Sequence, residues 1–564
     1  MDIPLNLQVA ALLKQAVEAA QAAGDLPQFE IPAIKVDRPK FKEQGDYASG
    51  VSLTLTRPAK MAPLQIADIL VRHLPQSDFV GKVEVVKPGF INLFLAPDWL
   101  KKEVAEIIAA DKRHGWVNIG QGERVQVEFV SANPTGPLTI GSARNAVYGD
   151  TLARIYEAAG YEVQREYYVN DLGSKVRKMG RTLLTHYAKQ LGRDIPMPEE
   201  HYPGIFLEEL GNEIAIQYGQ VYLEKPEKEA LHELGEIGIR RTLQAIEESL
   251  AEAHIRFDGW FSERSLYESG KFDKVFGMLQ EKGYIYEKDN ATWFRCSDFG
   301  LEQDAVVIRS AQVIAEPDAR PTYLASDIAY VWDKVVDRGF KKAIYVWGAD
   351  HQGDKPRLIA AMKALGLDPA RVEIILYQLV TLLRNGQEVR MSKSSGEYVT
   401  MNDVVREVGA DALRFMLISS SHDQHINFDL DLVLKQSSEN PVYYVQYAHA
   451  RICSILRKAE EEGYQIGTAG DFDKLYDPSE LELIKKMVQL PEIISQAARD
   501  YSPHYLPHYA QDLAATFHAF YRDCRVIDAE QPELSRARLG LVDAARIALA
   551  NTLDLMGMTA PEKM

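Results

Sequence analysis

Residues 124–169 read as strand, glycine-bearing loop, helix and strand again: RVQVEFVSA, NPTGPLTIG, SARNAVYGDTLARIYEAAG and YEVQREYYV. This run restricts the architecture most. Two strands joined through a helix have too long a connection for a hairpin, so they predict a parallel sheet covered by helices. The same order turns backbone N–H groups and a helix N-terminus toward one point, which suits phosphate. The pattern resumes at TYLASDIAYVWDKVVDRG, KAIYVWGADHQGDKPRLIAAMKALG and VEIILYQLVTLL. The expected fold is therefore α/β, a doubly wound parallel sheet.

At 564 residues the chain exceeds one core, and three or four domains are expected. Residues 1–115 read as an α+β unit. Helical spacing over Leu5–Ala23 precedes GDYASGVSLTLTRPAK, which alternates like a strand before a helix. VGKVEVVKPGFINLFLA reads as two strands turning at Pro88–Gly89, and DWLKKEVAEIIAADK as a closing helix. Residues 116–438 carry the sheet, interrupted by a charged helical insertion at about 174–290. Residues 439–564 show three long amphipathic stretches and read as a helical bundle.

No apolar run reaches the roughly 18 residues that span a bilayer, and the N-terminus lacks a basic start followed by an apolar block. A cytoplasmic protein is expected. Cys296, Cys453 and Cys524 form no C-x-x-C pair, so they predict buried thiols and no structural zinc. A net charge of −17 argues against indiscriminate nucleic-acid binding. It leaves room for local basic faces, at Lys35, Arg38, Lys40 and Lys42 or at Lys175, Arg177, Lys178 and Arg181.

In the loop before the first long helix of the sheet unit, Gly136 and Gly141 let backbone approach a ligand. About 250 residues later comes RMSKSSGEYVT, starting at Arg390. Lys393 there offers an ammonium, and Ser392, Ser394 and Ser395 offer hydroxyls, to the charge that develops on a reacting phosphate. The pair resembles the two signature blocks of class I aminoacyl-tRNA synthetases. NPTGPL, REYYVNDLG, FDGWFSERSLYE, YLASDIAYVWDK, VWGADHQG, GADALRF and NPVYYVQYAHARI, in that order, resemble arginyl-tRNA synthetases nearly end to end. Asp411, Ala412, Leu413 and Arg414 spell the name of that family's anticodon-binding module.

The resemblance implies two steps, arginine activation by ATP to the adenylate and transfer to the 3′ end of tRNA(Arg), with bound tRNA needed for the first. No side-chain nucleophile is required, so positioning and charge carry catalysis. It implies an ATP site of Pro134, Gly136, Thr139, Gly141, Ser142, Asn145, Gly348, Asp350, Arg390, Met391, Ser392, Lys393 and Ser394. Lys393, Thr139 and Ser142 would be catalytic, and Mg2+ would come with ATP, held mostly by phosphate oxygens and water. A guanidinium prefers carboxylates. The family pattern gives it Glu128 and Asp327, lined by Tyr323, with Ser131, Asn133 and His351 on the amino-acid end. Plainer readings exist: Glu128 as a solvent-facing strand residue, Asp327 as a surface helix acid, His351 as a satisfied core histidine.

Tyr443, Tyr444, Tyr447, His449 and Arg451 interleave aromatic and basic groups that can stack on bases of tRNA, or else form a helix core stripe. The first domain resembles the family's tRNA-elbow module, and the family implies a monomer. One block departs. The family's His-x-Gly-His reads Thr139, Ile140, Gly141 and Ser142, which also allows a weakened or inactive tRNA-binding relative. The cysteine-specific relative is disfavoured, because it needs zinc-binding cysteines.

Overall fold

The computed structural model describes residues 3–172, 174–309, 320–389, 399–468 and 471–564. Helix Leu5–Ala23 buries Leu5, Val9, Leu13, Ala16, Val17 and Ala20 at helical spacing. Strands Tyr47–Ser49, Phe90–Leu95 and Val80–Val86 form an antiparallel sheet in that order, and the turn at Pro88 and Gly89 joins the last two. The alternation in GDYASGVSLTLTRPAK yields only three residues of strand. Val51–Ala59 is helical instead, because Val51, Leu55 and Ala59 also form a four-residue stripe, and that stripe is buried. Helix Pro97–Ala110 lies against helices Pro478–Met487 and Pro532–Leu555 of the C-terminal bundle.

Five strands make the central parallel sheet: β1 (Arg124–Glu128), β2 (Glu162–Val169), β3 (Gly259–Ser262), β4 (Lys342–Gly348) and β5 (Val372–Tyr377). Their order is β5-β4-β1-β2-β3. Helix α1 (Ile140–Ala158) carries the chain from β1 to β2. The chain runs outward from β1 to β3, then returns to the other side of β1 for β4 and β5. The crevice outside the C-terminal ends of β1 and β4 is thus the topological switch point, where open α/β sheets take ligands.

The stretch at 174–290 is not one helical insertion. Helices Ser174–Gln190, Ile205–Tyr218 and α2 (Glu227–Glu252) form a lobe, and the chain then rejoins the sheet as edge strand β3. Gly180 and Gly235 let the lobe's backbones meet: a Cβ on either would lie 1.9 Å from the Leu231 carbonyl oxygen or 2.2 Å from that of Val176. A four-stranded antiparallel sheet spanning residues 285–321 follows. VEIILYQLVTLL also divides. β5 stays in the main sheet, and Val380–Arg384 pairs with Ile426–Asp429 in a separate one.

Helix α3 (Tyr323–Trp332) continues into a wide π turn, Asp333–Asp337. After α4 (Ala410–Ile418) the bundle holds α5 (Pro441–Glu461), Pro478–Met487, Leu490–Arg499, Tyr505–Asp523 and α6 (Pro532–Leu555). Among the described residues three of these helices are long, Pro441–Glu461, Tyr505–Asp523 and Pro532–Leu555, and two of ten residues lie between the first and the second; Asp477 caps one start and prolines at first-turn positions open others. Among the described residues no helix is long and apolar enough to cross a membrane. All three cysteines are buried and free.

Candidate active site

At the end of β1 the backbone turns through positive φ at Val130 (64°) and Ser131 (41°). For a β-branched residue this is a strained conformation, of the kind found at ligand sites. Asn145, on α1, holds the turn. Its Oδ1 accepts from the Val130 N–H at 2.7 Å, and its Nδ2 donates to the Val346 carbonyl of β4 at 2.9 Å. Its amide is engaged by the two strands that border the switch point, and it sets their spacing.

Glu128 is buried, so the solvent-facing reading fails. Its Oε1 accepts from the Ser131 hydroxyl at 3.1 Å, and the Ser131 oxygen in turn accepts from the Tyr168 N–H at 3.1 Å. Asp327 is half-buried on α3 and faces the same space. Burial, together with the nearby carboxylates of Glu128 and Glu263, pushes its carboxyl well above the ordinary aspartate range. Tyr323, one turn earlier, is 59% exposed, and its ring lies 4.5 Å from the Lys175 ammonium. Lys175 also donates to the Oδ1 of Asn133 at 2.8 Å, and burial lowers its pKa to about 8.

His351 is exposed, so it is no core histidine. Its Nδ1 lies 3.3 Å from Asp354, and this contact raises its pKa above 6.5. Gly348 ends β4. A Cβ there would lie 2.4 Å from an Asp350 carboxylate oxygen, so glycine leaves room for that side chain to fold back.

The phosphate side is built by Pro134, Gly136 and the start of α1. Thr139 is the N-cap residue, yet its side chain makes no capping bond. Among the described residues neither the Thr139 nor the Ser142 hydroxyl has a hydrogen-bond partner, and a Cβ on Gly141 would find only the Thr139 oxygen, at 3.7 Å. Thr139 bridges to Thr400, and the Met401 N–H donates to the Leu138 carbonyl at 2.8 Å. The chain thus comes back to the phosphate loop after RMSKSSGEY. Arg390, Met391, Ser392, Lys393 and Ser394 themselves lie outside the described residues. Arg144 is fully buried and donates to the carbonyls of Gln378, Ser421 and Gln424 at 2.6–2.9 Å, fastening α1 to the segments beside the small sheet.

Two charged residues of this site escaped sequence reasoning. Glu263 is buried and accepts from Ser326 at 2.6 Å, and burial raises its pKa. Lys334 is buried against Glu128. Glu263 stood inside FSERSLYE without a pattern to mark it, and Lys334 follows Asp327 by two helical turns, which was the one available signal.

In the bundle, Tyr443 and Tyr447 stack at 5.7 Å with rings 9° apart. Arg451 lies over Tyr447 at 4.8 Å, and with Tyr444, Ser438 and His518 they line one cleft. His449 is corrected as an RNA contact. It is buried, and its Nδ1 meets the Pro561 carbonyl at 2.9 Å, so it anchors the C-terminal segment. Of the basic faces, Arg38 is spent on Glu492 at 2.7 Å, Lys42 pairs with Glu482 at 2.9 Å, and Lys178 lies over Tyr202 at 4.7 Å.

Three families match consecutive parts of the chain. Residues 7–95 match the arginyl tRNA synthetase N terminal domain, residues 103–452 the tRNA synthetases class I (R) catalytic domain, and residues 445–564 the DALR anticodon binding domain. The chain belongs to the arginyl-tRNA synthetases. An arginine–tRNA ligase of Dehalococcoides mccartyi strain CBDB1 is 46% identical over 552 residues, 98% of each chain. One of Bacillus subtilis strain 168 is 44% identical over 559 residues, 99% of each. A solved structure titled putative arginyl t-RNA synthetase, from Campylobacter jejuni, superposes with a TM-score of 0.75 at 34% identity, covering 83% of this chain and all of that one. The Thermus thermophilus arginyl-tRNA synthetase shares the fold at 24% identity, with a TM-score of 0.77 over 99% of this chain and all of that one.

Proposed function

We propose that the chain is an arginine–tRNA ligase, activating L-arginine with ATP and passing the arginyl group to the 3′ end of tRNA(Arg), with release of AMP and pyrophosphate. The observation that carries this is the meeting of two carboxylates, Glu128 and Asp327, with an uncapped helix N-terminus at one switch point. A planar cation and a polyphosphate need those two environments side by side. Glu128 and Asp327 take the guanidinium, with Tyr323 along its edge. Ser131, Asn133 and His351 take the α-amino and carboxylate end. Thr139, Gly141, Ser142 and Gly348 frame ATP, with Asp350 beside them, and Lys393 arrives from the Lys-Ser segment. Mg2+ enters with ATP on phosphate oxygens. Residues 1–115 touch the tRNA elbow, 116–438 do the chemistry, and 439–564 read the anticodon. The reading carries with it a cytoplasmic monomer. A non-catalytic relative, which Thr139 and Ser142 allowed, has no support: relatives named as ligases match over almost the whole chain.

The test is tRNA-dependent charging with radiolabelled arginine, with Lys393→Ala as control and the other amino acids as competitors. Absence of charging with tRNA still bound would end the proposal. Asp327→Asn and Glu128→Gln are each expected to raise the KM for arginine on the order of 10²-fold, with the KM for ATP nearly unchanged. An unaltered arginine KM would remove those residues from the pocket. Tyr447→Ala is expected to weaken tRNA binding about tenfold while leaving arginine affinity intact, the loss of one stacking platform. Equal tRNA affinity would make Tyr443 and Tyr447 a packing pair only.

A further inference from the structure

Lys334 has no exposed surface, and burial lowers its pKa, opposed by the carboxylates of Glu128 and Glu166. It sits in the π turn that continues α3, on the face that carries Asp327. Its ammonium donates to Glu128 Oε2 at 2.5 Å and lies 4.0 Å and 3.6 Å from the ring centres of Tyr330 and Tyr345. Those rings leave it one face for a carboxylate and none for water. We propose that Lys334 is a positioning residue of the arginine pocket: its direct contact holds the Glu128 carboxylate aimed, leaving free lone pairs for the incoming guanidinium. This rests on the reading of Glu128 as a guanidinium ligand.

The surroundings explain why such a cation is needed. Facing Glu128 are Asp327, Tyr330 and Lys334 from α3 and its continuation, Tyr345 from β4, and Tyr168 and Glu166 from β2; Glu263 stands nearby. Glu166 is already matched by Arg338, in a two-pronged contact at 2.6 Å and 2.8 Å. Lys334 is therefore the cation in direct contact with Glu128. Without Lys334 the Glu128 carboxylate would lose the ion pair that fixes its orientation.

The Ser131 hydroxyl completes the arrangement. It and Lys334 occupy one lone pair on each Glu128 oxygen, and each oxygen keeps another. Ammonium and guanidinium therefore have room on the same carboxylate, on different edges.

The test is calorimetric titration of the full chain with L-arginine from about pH 6 to about pH 9, on wild type, K334M, K334Q and K334R, with E128Q as reference. K334M is expected to bind arginine on the order of 100-fold more weakly at neutral pH. The rise of affinity with pH expected from the raised carboxyl of Asp327 should persist in the variant. K334R, which keeps the charge, is expected within about threefold of wild type. K334Q carries the test if K334M does not fold. Wild-type affinity in both neutral variants overturns the proposal. So does an equal loss in K334R, since that marks a packing role. Failure of wild type to bind arginine, or wild-type binding by E128Q, overturns the pocket reading itself and the proposal with it.

Discussion

Replacing Thr139 and Ser142 together by histidine is expected to accelerate tRNA-dependent ATP–pyrophosphate exchange on the order of 10³-fold, with the KM for arginine little changed. Each position stands at the N-terminus of α1, where among the described residues its hydroxyl has no hydrogen-bond partner and the space over Gly141 holds only the Thr139 oxygen. A hydroxyl is a donor, but a short and neutral one. An imidazole reaches farther and carries positive charge at the moment the phosphate oxygens gain negative charge. One positioned donor to a developing oxyanion is worth about 10²–10³ in rate. The two act on the same group, so their effects will not simply multiply. T139H and S142H alone should each recover part of the gain. A change under about threefold in the double variant would mean that the hydroxyls, or water held by them, already supply what histidine does.

Asp150→Asn is expected to cost about 3–5 kcal/mol of stability, because it strips the carboxylate from a buried guanidinium. Asp150 lies on α1, two turns below Ser142, and its Oδ2 meets Arg414 at 2.5 Å. Arg414 has no exposed surface. Its other donors go to the Ala253 carbonyl at 2.9 Å and to the Met556 carbonyl at 2.5 Å. Burial alone would raise the Asp150 pKa, but Arg414, Arg154 and Arg165 outweigh it and hold the carboxyl below its ordinary value. The sign follows. A depressed folded pKa gives stability that is fully present above the unfolded value, about 3.9, and is lost as pH falls through the folded value. Thermal unfolding should therefore show the variant's deficit at neutral pH, narrowing below about pH 4. A melting midpoint like that of wild type at neutral pH would reduce the pair to packing.

What could be read from the sequence had local period behind it. β1, α1 and β2 were legible because one long run carries strand, glycine loop and helix signals in order. Glu128 and Asp327 were singled out by the family resemblance, and their local sequence left the plainer surface readings open. β3 was not, because Gly-Trp-Phe-Ser is too short to show an alternation. Lys334 was hidden for a different reason. Its partner Glu128 is 206 residues away, and a buried lysine looks like a surface one until its neighbours are known. The place of His449 was hidden as well: the face it takes depends on Pro561, at the far end of the chain.

The guanidinium of Arg414 belongs at once to α1, to the end of the inserted lobe's α2 and to the last turn of the bundle's α6. No one of these can shift by itself without leaving a buried donor or carbonyl unmet, so their displacements are coupled in free energy. Thermodynamic reciprocity then sets a condition on the whole molecule. Whatever factor tRNA on the bundle applies to the affinity for arginine or ATP, those small ligands must apply to the affinity for tRNA.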